Sequence, residues 1–320
     1  TIDPTWQILY TSSDGNDVTD IYTDAFDANI VSNTYQDGQG IITFDGPVTT
    51  IGEYAFYECS SLTSITIPNS VTTLDMYAFE SCTSLTSITI PEGVISIGEW
   101  TFYNCTALNP INLPDNLASI GDYAFYFCSA FTSITLPESL TSIGKGAFAD
   151  CSSLTSITIP NGITSIADYI FADCSSLSSI TLHEGVTSIG EGAFVNCTSL
   201  TSFTIPEGIT KIAKSTFNGC SALTSITIPE GITSIDGYAF WGCSGLTYII
   251  SKPTTPPTCG NNAFWNMNNT IPVYVPCGCV NAYKAAMNWK FFKNFQSSDQ
   301  FTITVQSDNN SQGTVSVEKN

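Results

Sequence analysis

Apolar residues return along this chain in a fixed rhythm. In one representative stretch they fall as Leu85-x-x-Ile88-x-Ile90, then Val94-x-x-Ile97, then Phe102-x-x-Cys105, with Ser, Thr, Pro and Gly between them. The first group is rich in β-branched residues and alternates at its end, which predicts a half-buried strand. Pro91-Glu92-Gly93 stops it, because proline supplies no ladder donor and glycine permits the bend. Val94 to Ile97 predicts a second short extended piece, and Gly98 turns the chain again. Trp100 to Cys105 is too short for an independent helix, so one helical or 3₁₀ turn is expected. Phe102 and Cys105, three apart, would then point the same way.

The unit is copied along the chain. Cysteine recurs every 23 residues at Cys59, Cys82, Cys105, Cys128, Cys151, Cys174, Cys197, Cys220 and Cys243, and phenylalanine keeps the same beat from Phe56 to Phe240. Self-similarity at a fixed period marks a solenoid. One unit cannot bury Leu85, Ile88, Ile90, Val94, Ile97, Phe102 and Cys105 alone; stacked neighbours bury them in a continuous core and align the strands in a parallel sheet. At about 4.8 Å per strand, nine coils make a rod on the order of 45 Å long before caps.

The repeat Leu-x-x-Ile-x-Ile-Pro-x-x-Val-x-x-Ile-Gly-x-x-Ala-Phe-x-x-Cys resembles the BspA-like leucine-rich repeat, also called the Treponema pallidum type. The resemblance covers residues 47–250 in nearly every slot of nearly every copy. The expected fold is a β-rich, right-handed solenoid with a parallel sheet, short 3₁₀ or helical turns, an N-terminal β cap and a C-terminal helical cap. The resemblance also implies a bacterial cell-surface or extracellular location and, for several members, adhesion to host matrix proteins. It supplies no fixed binding motif to carry over.

Residues 1–46 break the pattern. Trp6, Ile8 and Tyr10 alternate and Ser12 to Asn16 turn, which predicts a hairpin-like cap over the open end of the first coil. Gly40 to Phe44 reads as a degenerate first repeat strand, with Val48 and Ile51 already in phase. Pro110 falls inside a predicted strand and removes one ladder donor. His183 takes a proline slot, Phe131 replaces the usual leucine, and the phase slips by one residue after Leu246. Residues 251–297 predict a second cap: a stiff Pro253 to Pro257 connector, a last strand at Val273 to Val275, and a short amphipathic helix from Asn281 to Asn294. Residues 298–320 alternate as Phe301, Ile303 and Val305 and turn at Asn309 to Gly313, as the opening hairpin of a further, truncated β domain would. Thr1 reads as the start of a trimmed or mature chain.

Charge narrows the partners. The chain has 8 Lys and Arg against 28 Asp and Glu, a net charge of −20. That argues against nucleic acid and anionic membrane surfaces, which need basic patches, and no apolar run reaches the 18 residues of a membrane span. Nine of the 12 cysteines sit in one repeat slot beside core phenylalanines, where a thiol packs as a small buried hydrophobe. Cys259, Cys277 and Cys279 lie outside that ladder; one disulfide from Cys259 to either of the others is open, whereas three thiols without a nearby histidine are too few for zinc.

Catalysis has little to stand on. His183 is the single histidine and is expected in a solvated turn, and no acid–base constellation, phosphate-cradling loop or metal motif is visible. No cofactor is implied. The turn after the strand carries Glu92, Asp115, Glu138, Glu184, Glu207 and Glu230 in one column, a solvated acidic edge that calcium would have to prefer over water to occupy. The strand hydroxyls, such as Thr66, Thr89 and Thr158, read as a solvated β face.

Two variable slots, three residues apart, turn aromatic in the N-terminal half. The first holds Tyr54, Tyr77, Trp100 and Tyr123 in four consecutive coils; the second holds Tyr57, Tyr103 and Tyr126, with Phe127 adjacent. Stacked aromatic side chains on a repeat face suit a protein hot spot or a sugar platform. These eight residues are the candidate partner-binding site. The reading is a non-enzymatic surface or secreted scaffold that binds a host extracellular or matrix protein. A glycan-binding module and a spacer without a ligand are the alternatives.

Overall fold

The structure is a computed structural model that describes residue 3, residues 6–298, and the backbone of the strands at 301–306 and 314–319. The repeats wind into a solenoid of about eleven turns. Each coil contributes two extended pieces. The longer one forms parallel ladders such as Leu62–Thr66 on Ser87–Thr89 and Ser156–Thr158 on Ser179–Thr181, with equivalent residues in register. The shorter one is a two-residue strand, and Thr50–Ile51, Thr73–Leu74, Ser96–Ile97, Ser119–Ile120 and Ser142–Ile143 stack as a second parallel sheet. Ile65, Ile88, Leu74 and Ile97 point inward from these strands and are buried.

The third side of the coil differs from expectation. Trp100 to Cys105 is neither an α- nor a 3₁₀-helix but a run of turns with left-handed residues at Trp100 (φ 57°) and Asn104 (φ 59°). Its alternate amides leave the coil: Trp100, Phe102 and Asn104 donate to the carbonyls of Asp122, Ala124 and Tyr126 in the next coil at 2.9, 2.8 and 2.8 Å. The amides between them close local turns, as Tyr103 to Trp100 O and Cys105 to Phe102 O. A helix would have used all of these donors internally. The turn run instead forms a third ladder between coils, which satisfies the backbone along the whole side.

Beneath that ladder, the phenylalanines from Phe56 to Phe264 stack face to face at centroid spacings of 5.1–5.9 Å. The cysteines do more than fill space. Each thiol from Cys82 to Cys243 donates to the carbonyl of a phenylalanine in the preceding coil at 3.0–3.3 Å, and Cys59, which has no preceding coil, donates to Asp20 O in the cap. All nine are buried and none of the twelve cysteines forms a disulfide. Burial pushes their pKa values up, to about 12 at Cys59 and Cys220.

The N-terminal cap is a three-stranded antiparallel sheet rather than one hairpin. Its tight turn joins Ile30–Gln36 to Gln39–Phe44, and Gln7–Ser12 pairs with Gln39–Phe44 on one side and with repeat strand Leu62–Thr66 on the other. Gln39–Phe44 therefore belongs to the cap, and Leu62–Thr66 opens the solenoid sheet. Inserting Gln7–Ser12 covers the edge that Leu62–Thr66 would otherwise expose. Around Pro110, which offers no amide donor, the longer strand is reduced to an isolated bridge between Thr89 and Asn112, and it is also reduced at Ser133, which bridges Ser156 alone.

The C-terminal cap carries less helix than expected. Val280–Ala285 is α-helical; Asn288 then takes a left-handed conformation, Trp289–Phe291 makes a 3₁₀ turn, and Asn294–Ser297 becomes a strand parallel to Pro272–Val275. The reversal at Asn288 turns Trp289 into the core, where it and Tyr283 are fully buried. Their polar atoms find the connector: Tyr283 Oη donates to Pro253 O at 2.7 Å, and Trp289 Nε1 to Pro257 O at 2.9 Å. The one-residue phase slip is absorbed here, since Phe264 still stacks on Phe240 from 24 residues away. Beyond it, Phe301–Gln306 and Thr314–Lys319 pair antiparallel; the turn expected at Asn309 to Gly313 lies outside the described residues.

Candidate partner-binding face

The first aromatic slot is a left-handed position in every coil. Tyr54, Tyr77, Trp100 and Tyr123 have φ of 55–62°, and the same slot holds Gly146 and Gly192 at 59° and Ser215 at 57°. A side chain there costs roughly 1–2 kcal/mol that glycine avoids. The rings recover part of it by stacking: Tyr54 on Tyr77 at 4.9 Å, Tyr77 on Trp100 at 6.3 Å, Trp100 on Tyr123 at 4.3 Å, all within 21° of parallel. The ladder ends where Tyr123 leans over Gly146, whose Cβ, if it had one, would lie 2.5 Å from the ring. Tyr169 lies over Gly192 in the same way.

The second slot supplies a parallel row. Tyr103 stacks on Tyr126 at 5.4 Å, and Tyr57 and Tyr103 meet Tyr54 and Trp100 edge-on at 5.4 and 5.2 Å. Glu80 interrupts that row between Tyr57 and Tyr103. Phe127 stands at the rim, edge-on to Tyr126 and 42 % exposed; the other seven rings are half-buried. All eight candidate residues thus share one side of the solenoid. Three further groups join them. Tyr22 of the cap packs on Tyr54 and Tyr57 at 6.2 and 6.4 Å. Lys145 sits over Tyr123 and Tyr169 at 5.9 and 5.6 Å. Nothing in the repeat phase points to Tyr22, whereas Tyr169 occupies the first slot itself. At the far end Tyr238 and Trp241 hold the same two slots as Tyr54 and Tyr57, a signal legible in the 23-residue phase.

The face has a strong electrostatic gradient. Residues 1–144 contain 17 of the 28 carboxylates and none of the 8 lysines. Two glutamates show the effect. Glu80 is pushed up by burial and by neighbouring Glu58. Glu191, in the lysine-bearing half, is held low by its bonds from Lys214 Nζ and Tyr169 Oη. Tyr57 is pushed up to about 12, chiefly because its hydroxyl bonds the Glu58 carboxylate.

The remaining candidates are quieter. Two turn carboxylates accept from the next coil's backbone, Glu92 from the Asp115 amide at 3.1 Å and Glu138 from the Asn161 amide at 3.5 Å, and Glu207 pairs with Lys252 Nζ at 2.8 Å. Among the described residues no three His, Cys, Asp or Glu side chains converge as a metal site. His183 is half-buried rather than solvated: its Nε2 meets Ile163 O at 2.9 Å and its Nδ1 accepts from the Gly185 amide at 3.1 Å. It replaces the proline by tying the turn to the preceding coil. No helix among the described residues is long and apolar enough to cross a membrane.

The profile of the family described as "BspA type Leucine rich repeat region" matches residues 19–155, 142–271 and 212–307, in six copies. A leucine-rich cell surface protein from Faecalibacterium prausnitzii is 31 % identical over 77 % of this chain and 69 % of its own, with a TM-score of 0.47. A leucine-rich-repeat protein from Bacteroides ovatus is 27 % identical, covers 92 % of this chain and 88 % of its own, and gives a TM-score of 0.57. The leucine-rich-repeat protein of T. pallidum is 38 % identical over 49 % of this chain and 74 % of its own, at 0.48. No curated protein matches the chain significantly. Repeat, ladder and profile agree that the chain belongs to the BspA-type leucine-rich-repeat family.

Proposed function

We propose that this protein is a non-catalytic binding scaffold at the cell surface or outside the cell, and that the aromatic face of its N-terminal half holds a partner protein. A host extracellular or matrix protein is the partner class this reading favours. The observation that carries it is the placement of four consecutive aromatic side chains at left-handed backbone positions. The same coil geometry is met by Gly146 and Gly192 without strain, so the rings answer a demand other than coil formation. Strain retained at a surface is a mark of a functional position, and aromatic anchors with a polar rim are what protein hot spots are built from.

The test is a binding screen of the whole chain against immobilised matrix proteins and a glycan array, beside a variant with Tyr54, Tyr77, Trp100 and Tyr123 all changed to Ala. A matrix protein bound by the native chain and lost by the folded variant supports the reading. Retained binding moves the site off the aromatic face, and no binding to either panel favours the spacer. The glycan alternative has its own feature, a cleft of about 400 Å³ at the C-terminal cap lined by Trp265, Phe291, Asn262 and Asn288. Trp265 is 57 % exposed there, and a flat ring beside amide side chains suits a sugar. Array binding abolished by Trp265→Ala would favour it.

A further inference from the structure

The aromatic ladder does not stop at the first coil. Where it meets the N-terminal cap, Tyr22, Tyr54 and Tyr57 form a cluster of three rings with centroids 5.4–6.4 Å apart. Beside it lies a cleft of about 680 Å³ lined by Asp20, Ile21, Tyr22, Thr23, Asp24, Tyr57 and Glu58. Its walls are set by hydrogen bonds across the junction: the Tyr22 amide donates to Ala55 O at 3.1 Å, the Gly52 amide to Ala25 O at 2.7 Å, and the Cys59 thiol to Asp20 O at 3.3 Å. The cleft is therefore formed before anything enters it, and Tyr22 stands in its wall 53 % exposed.

The C-terminal half shows what this protein does with the same chemistry. There Tyr169 Oη donates to Glu191 Oε1 at 2.8 Å, and Lys214 Nζ closes the unit on the same oxygen at 2.8 Å. Lys145 adds a second ammonium against a tyrosine face. At the cleft, Tyr57 and Glu58 repeat the tyrosine–carboxylate pair, Asp20 and Asp24 add two more carboxylates, and no lysine or arginine occurs in the first 144 residues to complete it. Ring faces and carboxylates together attract an ammonium or guanidinium group more than either alone.

We propose that this cleft and the ring ladder running from it dock a lysine- or arginine-rich segment of the partner protein, one cationic side chain entering against Tyr22 and Tyr57 with Asp20, Asp24 and Glu58 as counter-charges. The inference rests on the aromatic face being the partner surface and adds the partner's chemistry. It selects against acidic partners, because 17 carboxylates with no lysine or arginine among them repel such partners along the same half of the rod.

The test uses the whole chain and a fluorescently labelled peptide of alternating lysine and glycine, read by anisotropy. Controls are the same peptide acetylated on every lysine, and a rise in salt from about 0.1 M to about 1 M, which shortens the screening length from about 10 Å to about 3 Å. Three variants decide it: Tyr22→Ala, the cleft triple Asp20→Asn/Asp24→Asn/Glu58→Gln, and a charge-matched triple on the turn column, Glu92→Gln/Glu138→Gln/Glu230→Gln. The expected result is binding that acetylation and salt abolish. Tyr22→Ala and the cleft triple should each weaken it by about tenfold or more, and the turn triple by less than about threefold. Equal weakening by the two triples would mean a diffuse field and no site. Binding that survives acetylation, or absence of binding, would also overturn the inference. A partner from the matrix screen that needs the four ladder rings but tolerates the cleft triple and high salt would keep the aromatic face and discard the basic segment. Peptide binding that needs the cleft but tolerates loss of the four rings would do the reverse.

Discussion

Trp100 separates the two energies that meet in the aromatic slot, backbone strain and ring stacking. It is stacked between Tyr77 and Tyr123, meets Tyr103 and Tyr126 edge-on, and holds φ at 57°. Trp100→Ala removes those four ring contacts at about 0.5–1.5 kcal/mol each, so about 2–6 kcal/mol in all. It keeps the strain, because alanine still carries a Cβ. Trp100→Gly loses the same contacts but relieves roughly 1–2 kcal/mol of left-handed strain, offset by about 0.4–1 kcal/mol for the freer unfolded chain. Glycine should therefore be more stable than alanine here by about 0.8 kcal/mol at the middle of these ranges, against the usual order in a regular element, where glycine is worse by a similar amount. The assay is urea unfolding followed by far-ultraviolet circular dichroism, which does not depend on the tryptophan removed. Thr89, exposed in a repeat strand, gives the reference pair, with Thr89→Ala expected above Thr89→Gly. If Trp100→Ala matched or exceeded Trp100→Gly while the Thr89 pair kept its ordinary order, the slot would not be left-handed in solution and the strain argument for the face would fall.

Two further predictions concern the core. Phe148 is fully buried between Phe125 and Phe171 at 5.5 and 5.8 Å, so Phe148→Ala should cost about 3–5 kcal/mol in urea unfolding; a loss below about 1 kcal/mol would show that the ring column collapses freely. The nine buried thiols have folded pKa values raised above the unfolded value, so the stability they hold is complete below about pH 9 and is lost as pH rises from there towards about 12. Each contributes a slope of up to about 1.4 kcal/mol per pH unit, on the order of 12 kcal/mol per unit together, so a cooperative alkaline transition should begin one or two units above pH 9. An unfolding midpoint in urea that stayed level from pH 8 to 11 would contradict that burial.

The coil was legible because its causes are local and repeated. Leucine, isoleucine, phenylalanine and cysteine keep phase, and each lands in the core. The turn run was not legible. Its two left-handed residues are Tyr54, Trp100, Glu58 or Asn104 as often as glycine, and nothing in an aromatic or acidic letter announces φ near 60°. Gly146, Gly192 and Gly219 in the same slots were the available hint. The caps were read only in outline, because their strands are chosen by tertiary pairing: Gln7–Ser12 takes its place from the edge of Leu62–Thr66, and Asn294–Ser297 from that of Pro272–Val275. At the site, the repeat phase identified the rings but not Tyr22 or Lys145, which reach it from the cap and from the residue preceding the slot.

In a solenoid each slot of the repeat becomes a line along the rod, so a constant slot makes a core and a variable slot makes a gradient. The position before the left-handed slot reads Glu53, Met76, Glu99, Asp122, Lys145, Asp168, Glu191, Lys214. The fold tolerates all of them, since this position presents its side chain at the surface, where Asp122 accepts from Lys145 N and Asp168 from Glu191 N, both at 2.7 Å, and Glu191 instead accepts from Tyr169 Oη and Lys214 Nζ. Lysine begins in the coil where the consecutive rings end. That coincidence has a physical consequence: Lys145 covers Tyr169 and the last ring of the ladder, Tyr123, and Lys214 pairs with Glu191, while the first half has no lysine or arginine of its own to do the same. The boundary at Tyr123 and Lys145 therefore divides lysine-bearing surface from surface with none, and on the function proposed above Lys145→Glu should tighten binding of the lysine–glycine peptide; an unchanged affinity would count against that reading.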